Sequence, residues 1–464
     1  MNLSRRAFVG SLGAVAACRR IRETPLLKIA LCSDPHIKDA ETAENMRRVF
    51  EYAKRNDVDG VLIAGDITSD GREGQMKLFA DAWFSVFPDS RNARGEKVEL
   101  ISCYGNRDLD RKHSPNDGES GIIRTAPGAM WRKYFGETVG DDCHVRYVKG
   151  CPVVLVHWGY EKIPEEQWKK LIGGIDTSKP FFYIQHPHLP GTVFDGEVAS
   201  KGTVSNFLSN CPGAIAFSGH SHRSISDERA VWSGGFVSIA GGAVSVVRPF
   251  AGKRLYENIG RLGARRNQPM PRIPHMPETA DIDGISQAMI LSLYHDRIEI
   301  ERHDCGIDEK AGPVWVIAHP QKCGSQPRFG TVLSPVAPQF PTGSKLEVFE
   351  RDGANRNGEK ERQIVVSFPP AVPSDSVHDR VWDYEVCALD AAGTVIARQH
   401  VLAENYFAPF RRISGRVECV FGSSSVPQGV ATRWKVVPYG FFGLCGDSIS
   451  AVAKYGIMNA NISS

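Results

Sequence analysis

Five clusters along the chain combine carboxylates, imidazoles and one carboxamide: Asp34-Pro35-His36, Gly65-Asp66, Gly105-Asn106-Arg107-Asp108, His186 and Gly219-His220-Ser221-His222. Carboxylate and amide oxygens suit Mg and Mn, and imidazole nitrogens suit Zn and Fe, so the set reads as ligands for a pair of divalent cations. Such a pair needs one ligand able to bridge, which a carboxylate does through two oxygens, and open positions for water and a substrate oxygen. A single piece of this kind is a weak signal. Five in order, each closing a strand, are a strong one.

The elements that must position these residues alternate in type. Apolar runs at Leu27–Ser33, Gly60–Ala64, Val98–Tyr104, Pro152–Val156, Phe181–Gln185 and Ala214–Ser218 read as strands, and the clusters sit at or just past their C-terminal ends. Helices are expected at 40–56, where Met46, Val49, Phe50 and Ala53 make one apolar face, and at 73–87. Alternating strands and helices predict a layered α/β domain, whose sites form beyond the carboxyl ends of the strands. Runs 234–247 and 287–304 read as closing strands, the second a hairpin around His295-Asp296. Between them the stretch 250–284 reads as a long loop, with Arg254, Arg261, Arg265, Arg266 and Arg272 able to attract anions.

The ordered clusters resemble the calcineurin-like metallophosphoesterase superfamily over about residues 26–305, with its pattern Asp-x-His, Gly-Asp, Gly-Asn-His-Asp/Glu, a later His and Gly-His-x-His. The resemblance implies a four-layer αββα sandwich and two metal ions, of Mn, Fe, Zn or Mg. Asp34, His36 and His222 would hold the first with Asp66; Asn106, His186 and His220 would hold the second, with Asp66 bridging. It also implies hydrolysis of a phosphate ester by a metal-bridging hydroxide attacking phosphorus in line. The glycines before Asp66, Asn106 and His220 are expected to let the backbone turn sharply.

Arg107 departs from the pattern, standing where most members carry a histidine proposed to assist the leaving group. Arginine is no general acid near neutral pH, but it binds phosphate oxygens bidentately and stabilises transition-state charge. Gly-Asn-Arg-Asp is similar to the branch that cleaves the pyrophosphate of UDP-diacylglucosamine, which implies only that arginine here is compatible with catalysis; the substitution itself leads to the expectation of a phosphodiester or pyrophosphate over a monoester with a poor leaving group. The catalytic set is therefore Arg107, Asp66 and His188; His188 either replaces the missing acid or stands behind the ligands. His157 either faces the site or packs, Asp108 caps a segment or pairs with Arg107, and Trp158, Tyr160, Trp131 and Phe194 form an aromatic wall or fill the core. The alternative function is non-catalytic binding of a phosphorylated ligand or a cell-surface glycan on the same fold.

Composition bounds the rest. The chain has 464 residues with 56 basic and 53 acidic side chains, too balanced for a nucleic-acid coat protein. No apolar run reaches the roughly 18–20 residues of an internal membrane span. Arg5, Arg6, Arg19 and Arg20 with no acid make the first twenty residues the source of the excess charge. Ser4-Arg5-Arg6-Ala7-Phe8-Val9 before an apolar run resembles a twin-arginine export signal, and Val15-Ala16-Ala17-Cys18 resembles a lipobox. The expected partners are therefore the export machinery, a lipid anchor on Cys18, and a small-molecule phosphate ester or phosphorylated glycan or lipid. The expected location is the periplasm, free or as a membrane-anchored lipoprotein. Of the remaining ten cysteines, Cys143/Cys151 and Cys305/Cys323 are the more plausible disulfides. The domain reading is a signal peptide at 1–25, the α/β domain at 26–305, a linker at 306–328 and a β-sandwich at 329–464, the last resembling a fibronectin type III module, with Trp382, Tyr384 and Trp434 in its core.

Overall fold

The computed structural model describes residues 23–109, 127–136, 142–196, 199–245, 285–322, 328–329, 336–354, 358–372, 381–403, 415–427, 430–440 and 444–454. The twin-arginine stretch, Cys18, the arginines of the 250–284 loop and Cys323 lie outside them.

The first unit runs β1 (Leu27–Cys32), α1 (Ala40–Arg55), β2 (Gly60–Ala64), α2 (Glu73–Val86), β3 (Glu99–Cys103), α3 (Pro127–Phe135), β4 (Cys143–Val148), β5 (Cys151–Val156), α4 (Glu165–Ile172), β6 (Phe181–Gln185), α5 (Val204–Leu208), β7 (Ala214–Ser218), β8 (Val231–Ser233), β9 (Val237–Ala240), β10 (Gln287–Leu293), β11 (Arg297–Asp304), β12 (Glu309–Lys310), β13 (Trp315–Ala318) and β14 (Arg328–Phe329). One sheet has the order β12-β11-β10-β1-β2-β3 with β13 also on β11; the other is β14-β8-β9-β7-β6-β5-β4. Strands β1, β2 and β3 are parallel, as are β5, β6, β7 and β9.

Side chains alternate across each strand and sort into layers. Ile29, Leu31, Leu62, Ala64, Ile101 and Cys103 pack toward the second sheet, against such residues as Val154 and Ile184. Their neighbours Ala30, Cys32, Val61 and Ile63 pack the other way, with Met46, Val49 and Phe50 of α1 and Phe79 and Trp83 of α2. Trp168 of α4 and Leu208 of α5 pack with the second sheet, where Trp168 meets Tyr183 edge-on at 6.1 Å. The result is the expected four-layer αββα arrangement. Helix α1 starts where it does because Asp39 accepts the Thr42 amide at 3.0 Å while Thr42 Oγ1 accepts the Asp39 amide at 3.2 Å.

Three expectations change. Residues 309–318, read as linker, complete the first sheet: Trp315 and Ile317 alternate inward, and the Trp315 indole donates to the buried Glu228 carboxylate at 2.6 Å. Glu228 also pairs with Arg302 at 2.9 Å, both fully buried, with Arg302 stacked 4.0 Å over Trp315. The 234–247 run is no single strand. Its Gly234-Gly235 pair separates β8 from β9, and a side chain on Gly235 would meet the Ser209 carbonyl at 2.6 Å. Cys143 and Cys151 are both free thiols, because the β4–β5 hairpin sets Cys143 opposite Val156 and Cys151 opposite Val148, at its two ends. Strand rise separates such positions by some 15 Å or more, far beyond disulfide reach. Cys305 is also free and buried.

The second unit is all-β. It contains β15 (Glu347–Ala354), β16 (Lys360–Phe368), β17 (Val381–Leu389), β18 (Val395–Leu402), β19 (Val417–Gly422), β20 (Ala431–Gly440) and β21 (Ile449–Lys454). Sheets β15-β16-β19 and β18-β17-β20-β21 are antiparallel and share one core that includes Val366, Phe368, Val386, Tyr384 and Trp434. The Trp382 side chain lies outside what is described.

Candidate metal centre

Five of the ligand-type side chains leave the end of a strand through a tight backbone turn. Asp34, His36, Asp66, His220 and His222 have φ of 54°, 46°, 53°, 72° and 58°. The left-handed region costs a non-glycine residue roughly 1–3 kcal/mol, so five instances in one place mark stored strain that surrounding bonds must hold. Those bonds are present: the Asp34 amide donates to the Gly65 carbonyl at 3.1 Å, the His36 amide to Asp66 at 2.9 Å, and the Gly219 amide to His186 at 2.8 Å.

Two of the three glycines do different work from the sharp turns expected of them. Gly65 has φ +85°, as expected, but Gly105 and Gly219 are required for closeness. A Cβ on Gly105 would sit 2.1 Å from Asp66 Oδ1, and one on Gly219 would sit 1.8 Å from Ser33 Oγ and 2.5 Å from Asp34 Oδ2. The missing side chains let the second sheet and the Asn106 loop approach both carboxylates.

The structure brings six ligand-type residues together in two overlapping groups, Asp34, His36, Asp66 and His222 on one side and Asp66, His186 and His220 on the other, with donor atoms within 4.8 Å of one another in each group. His36 Nε2 lies 3.4 Å from Asp66 Oδ2, His186 Nε2 lies 3.3 Å from the same oxygen, and His222 Nε2 lies 3.1 Å from Asp34 Oδ1.

Hydrogen bonds select the atoms that face inward. Asp34 Oδ2 accepts Ser33 Oγ–H at 2.6 Å and the His220 amide at 2.9 Å, leaving Oδ1 buried without a hydrogen-bond partner. Asp66 Oδ1 accepts the Arg107 amide at 2.7 Å, which leaves Oδ2 alone between the two groups. Oδ2 is therefore the Asp66 oxygen that faces both groups, whereas the sequence reading expected both oxygens to serve as ligands. His186 Nδ1 donates to the Ala64 carbonyl at 2.6 Å, which fixes the tautomer and leaves Nε2 buried and unpartnered. Asn106 Oδ1 is likewise a buried acceptor without a hydrogen bond. Orphaned buried acceptors are rare, and their convergence with imidazoles fits divalent cations.

The electrostatics agree. Burial raises the Asp34 carboxyl, but His222 and His186 overcome it and hold it well below the usual range. Burial opposes charge on His186, yet the Asp66 and Asp34 carboxylates push its imidazole up to about 10. Partial burial and then the neighbouring His186 hold the His220 imidazole down to about 4.

The other sequence candidates fall in different places. Arg107 is half-buried, and among the described residues its guanidinium makes no hydrogen bond or ion pair, so it is available to a ligand. Asp108 neither caps a helix nor pairs with Arg107: its carboxylate accepts the Thr68 amide at 2.9 Å, Thr68 Oγ1 at 3.1 Å and the Gly105 amide at 2.8 Å, tying the Asp66 and Asn106 loops together. Burial and then Asp66 push it up to about 6. His188 does not fit the acid role. It is fully buried, with Ser218 Oγ 2.8 Å from Nδ1 and Ser221 Oγ 2.8 Å from Nε2, and burial holds it down to about 3. His157 packs: its Nδ1 accepts the Tyr104 amide at 2.9 Å and its ring stacks on Tyr104 at 4.2 Å. Of the four aromatic candidates, Trp131 and Phe194 are buried in the cores and Tyr160 packs against one. Trp158 is the one beside the ligands, 5.9 Å from His186 and 5.3 Å from His220 between ring centroids.

Sequence reasoning missed Ser33, Thr68, Ser218 and Ser221, whose hydroxyls orient Asp34, Asp108 and His188. The signal available was position alone, each lying next to a ligand-bearing strand end.

Residues 27–224 match the family model described as calcineurin-like phosphoesterase. Over those residues the chain has the α/β sheets of a metallophosphoesterase-type domain, with a candidate metal-binding cluster at the strand ends. Among solved structures, it is similar to a dimetal phosphatase from Danio rerio at 12% identity, covering 64% of this chain and 99% of that one with a TM-score of 0.37. It is similar to a conserved protein and predicted phosphoesterase from Streptococcus pneumoniae TIGR4 at 12% identity, covering 63% and 98% with a TM-score of 0.28. It is also similar to the GAP50 anchor in the inner membrane complex of Plasmodium at 10% identity, covering 65% and 89% with a TM-score of 0.33. No curated protein matches the sequence.

Proposed function

We propose that the chain is an exported dimetal hydrolase of phosphate esters that acts on a phosphodiester or pyrophosphate. The observation that carries this reading is the convergence of buried acceptors without hydrogen bonds, Asp34 Oδ1, His186 Nε2 and Asn106 Oδ1, around the Asp66 carboxylate. One cation would be held by Asp34, His36, Asp66 and His222, the other by Asp66, Asn106, His186 and His220. Bound there, two divalent cations supply Lewis acidity, which makes water nucleophilic at neutral pH and neutralises phosphoryl oxygens.

The chain's own residues do the rest. Arg107, with no ion pair among the described residues, binds non-bridging phosphate oxygens and stabilises charge as the ester bond breaks. Its backbone amide orients Asp66 at the same time. His188 acts behind the site, joining the His186 loop to the His220 loop through two serines. With no acid at position 107 to protonate a poor leaving group, good leaving groups are favoured. The N-terminal stretch directs folded protein through the twin-arginine route to the periplasm, with a lipid on Cys18 when the lipobox is used.

The test is hydrolysis of bis(4-nitrophenyl) phosphate against 4-nitrophenyl phosphate by Mn-loaded protein. The diester is turned over faster. Equal or faster turnover of the monoester contradicts the diester preference.

A further inference from the structure

Trp158 is placed by the fold but not used by it. It follows β5 directly, and β5 runs parallel to β6 with Val156 opposite Gln185, so Trp158 emerges beside His186. Its amide donates to the Tyr104 carbonyl at 3.0 Å, while the Tyr104 amide donates to His157 Nδ1 at 2.9 Å. This pair of bonds locks the 157–158 turn of the second sheet to the end of β3 in the first, just before Gly105-Asn106. Gly159 continues the turn at φ +90°, its amide shared between both Glu161 carboxylate oxygens at 3.0 Å. The backbone around the indole is therefore held on both sides.

The indole itself joins neither hydrophobic core of the α/β unit, in contrast to Trp131, Trp168 and Trp315. Its ring leans on two ligand imidazoles, edge-on to His186 at 5.9 Å and tilted to His220 at 5.3 Å. It is only half-buried, and among the described residues its N–H makes no hydrogen bond. A large rigid ring fixed at the rim of a polar cluster and only half-buried is an arrangement suited to receiving another planar ring.

We propose that Trp158 forms an aromatic subsite beside the His186–His220 half of the centre, and that the substrate is a phosphate ester carrying a planar ring, such as an aryl or nucleobase-bearing group. The inference rests on the reading of the centre as a phosphate site and adds the class of substituent. Arg107 and the ligand cluster take the phosphate, and the indole takes the ring by offset stacking, with its N–H, unbonded among the described residues, offered to a polar substituent. Trp158 is then a specificity residue: it separates ring-bearing esters from alkyl ones.

The experiment is isothermal titration of Mn-loaded, full-chain protein with phenylphosphonate and with methylphosphonate, which share the anionic head and differ in the ring. The wild-type protein binds phenylphosphonate about tenfold more tightly, the size expected of one aromatic stack. Trp158→Ala and Trp158→Leu reduce that ratio to about twofold or less, and Trp158→Phe restores most of it. Metal content is measured on the same samples. A wild-type ratio near one overturns the inference, as does a ratio that survives in Trp158→Ala or Trp158→Leu. Because the readout is binding, failure of hydrolysis alone leaves the subsite measurable, whereas loss of binding for both phosphonates in the wild type overturns the phosphate-site reading together with it.

Discussion

The Arg107 backbone amide donates to Asp66 Oδ1 at 2.7 Å, and this one bond decides how the centre is laid out. With Oδ1 occupied, Oδ2 is the Asp66 atom that faces both His36 at 3.4 Å and His186 at 3.3 Å. The same amide belongs to the residue whose guanidinium is proposed to bind phosphate. The orientation of Asp66 thus depends on one short loop, and that loop is tied down by Asp108.

Arg107→His separates these roles, since any residue but proline keeps the amide. The bound metal should be unchanged, while kcat/KM for a diester falls by about tenfold to a hundredfold, the loss expected for one charge-assisted contact made in the transition state. Turnover of a monoester should rise relative to the diester, because histidine can donate a proton near neutral pH. Steady-state kinetics on the two nitrophenyl substrates check this, and an unchanged diester-to-monoester ratio contradicts the role given to the guanidinium.

Asp108→Ala leaves the Thr68 amide, Thr68 Oγ1 and the Gly105 amide without their acceptor. Buried unsatisfied donors make this expensive, about 2–4 kcal/mol. The α/β unit should melt roughly 5–10 °C lower. Differential scanning calorimetry of the metal-free variant reads the effect. A shift below about 1 °C would mean that water or a rearranged loop replaces the carboxylate.

Legibility followed the type of residue. The strand ends were readable because chemistry and hydrophobic pattern change there together: Gly60–Ala64, Phe181–Gln185 and Ala214–Ser218 have the bounds expected of them, each followed by a ligand-type residue. The hairpin at 287–304 and helices α1 and α2 were readable from periodicity. Strand β4 was hidden because its residues Cys143–Val148 mix His144 and Arg146 with apolar neighbours on a sheet edge. Strands β19 and β21 were hidden by a similarly weak alternation, and β13 by its brevity. His188 could not be placed from sequence because its role depends on Ser218 and Ser221, some thirty residues away. The distinct work of Gly105 and Gly219 was equally invisible, since only the packed sheets reveal what a Cβ would strike.

His319, after β13, gives the fold a pH dependence away from the centre. It is buried, and burial holds its imidazole down to about 4. A folded-state value below the unfolded one near 6.5 means that this contribution is fully present above about pH 6.5 and is lost as pH falls toward 4. Replacing the imidazole by an apolar group of similar size, His319→Leu, should flatten the stability profile between pH 6.5 and 4, with a difference of roughly 2–3 kcal/mol across that window. Urea unfolding at pH 7, 5.5 and 4.5 measures it. Parallel profiles for wild type and variant would contradict the assignment.

The central claim is that Asp66 joins two cation sites, and metal analysis of purified wild-type and Asp66→Asn protein by inductively coupled plasma mass spectrometry tests it most directly. Wild-type protein should hold about two divalent cations per chain and hydrolyse bis(4-nitrophenyl) phosphate. Asp66→Asn should hold about one or fewer and lose more than a hundredfold in kcat/KM, consistent with removal of a ligand charge shared by both sites. Wild-type protein without bound metal, or an Asp66→Asn variant with wild-type metal content and turnover, would contradict the account at its centre.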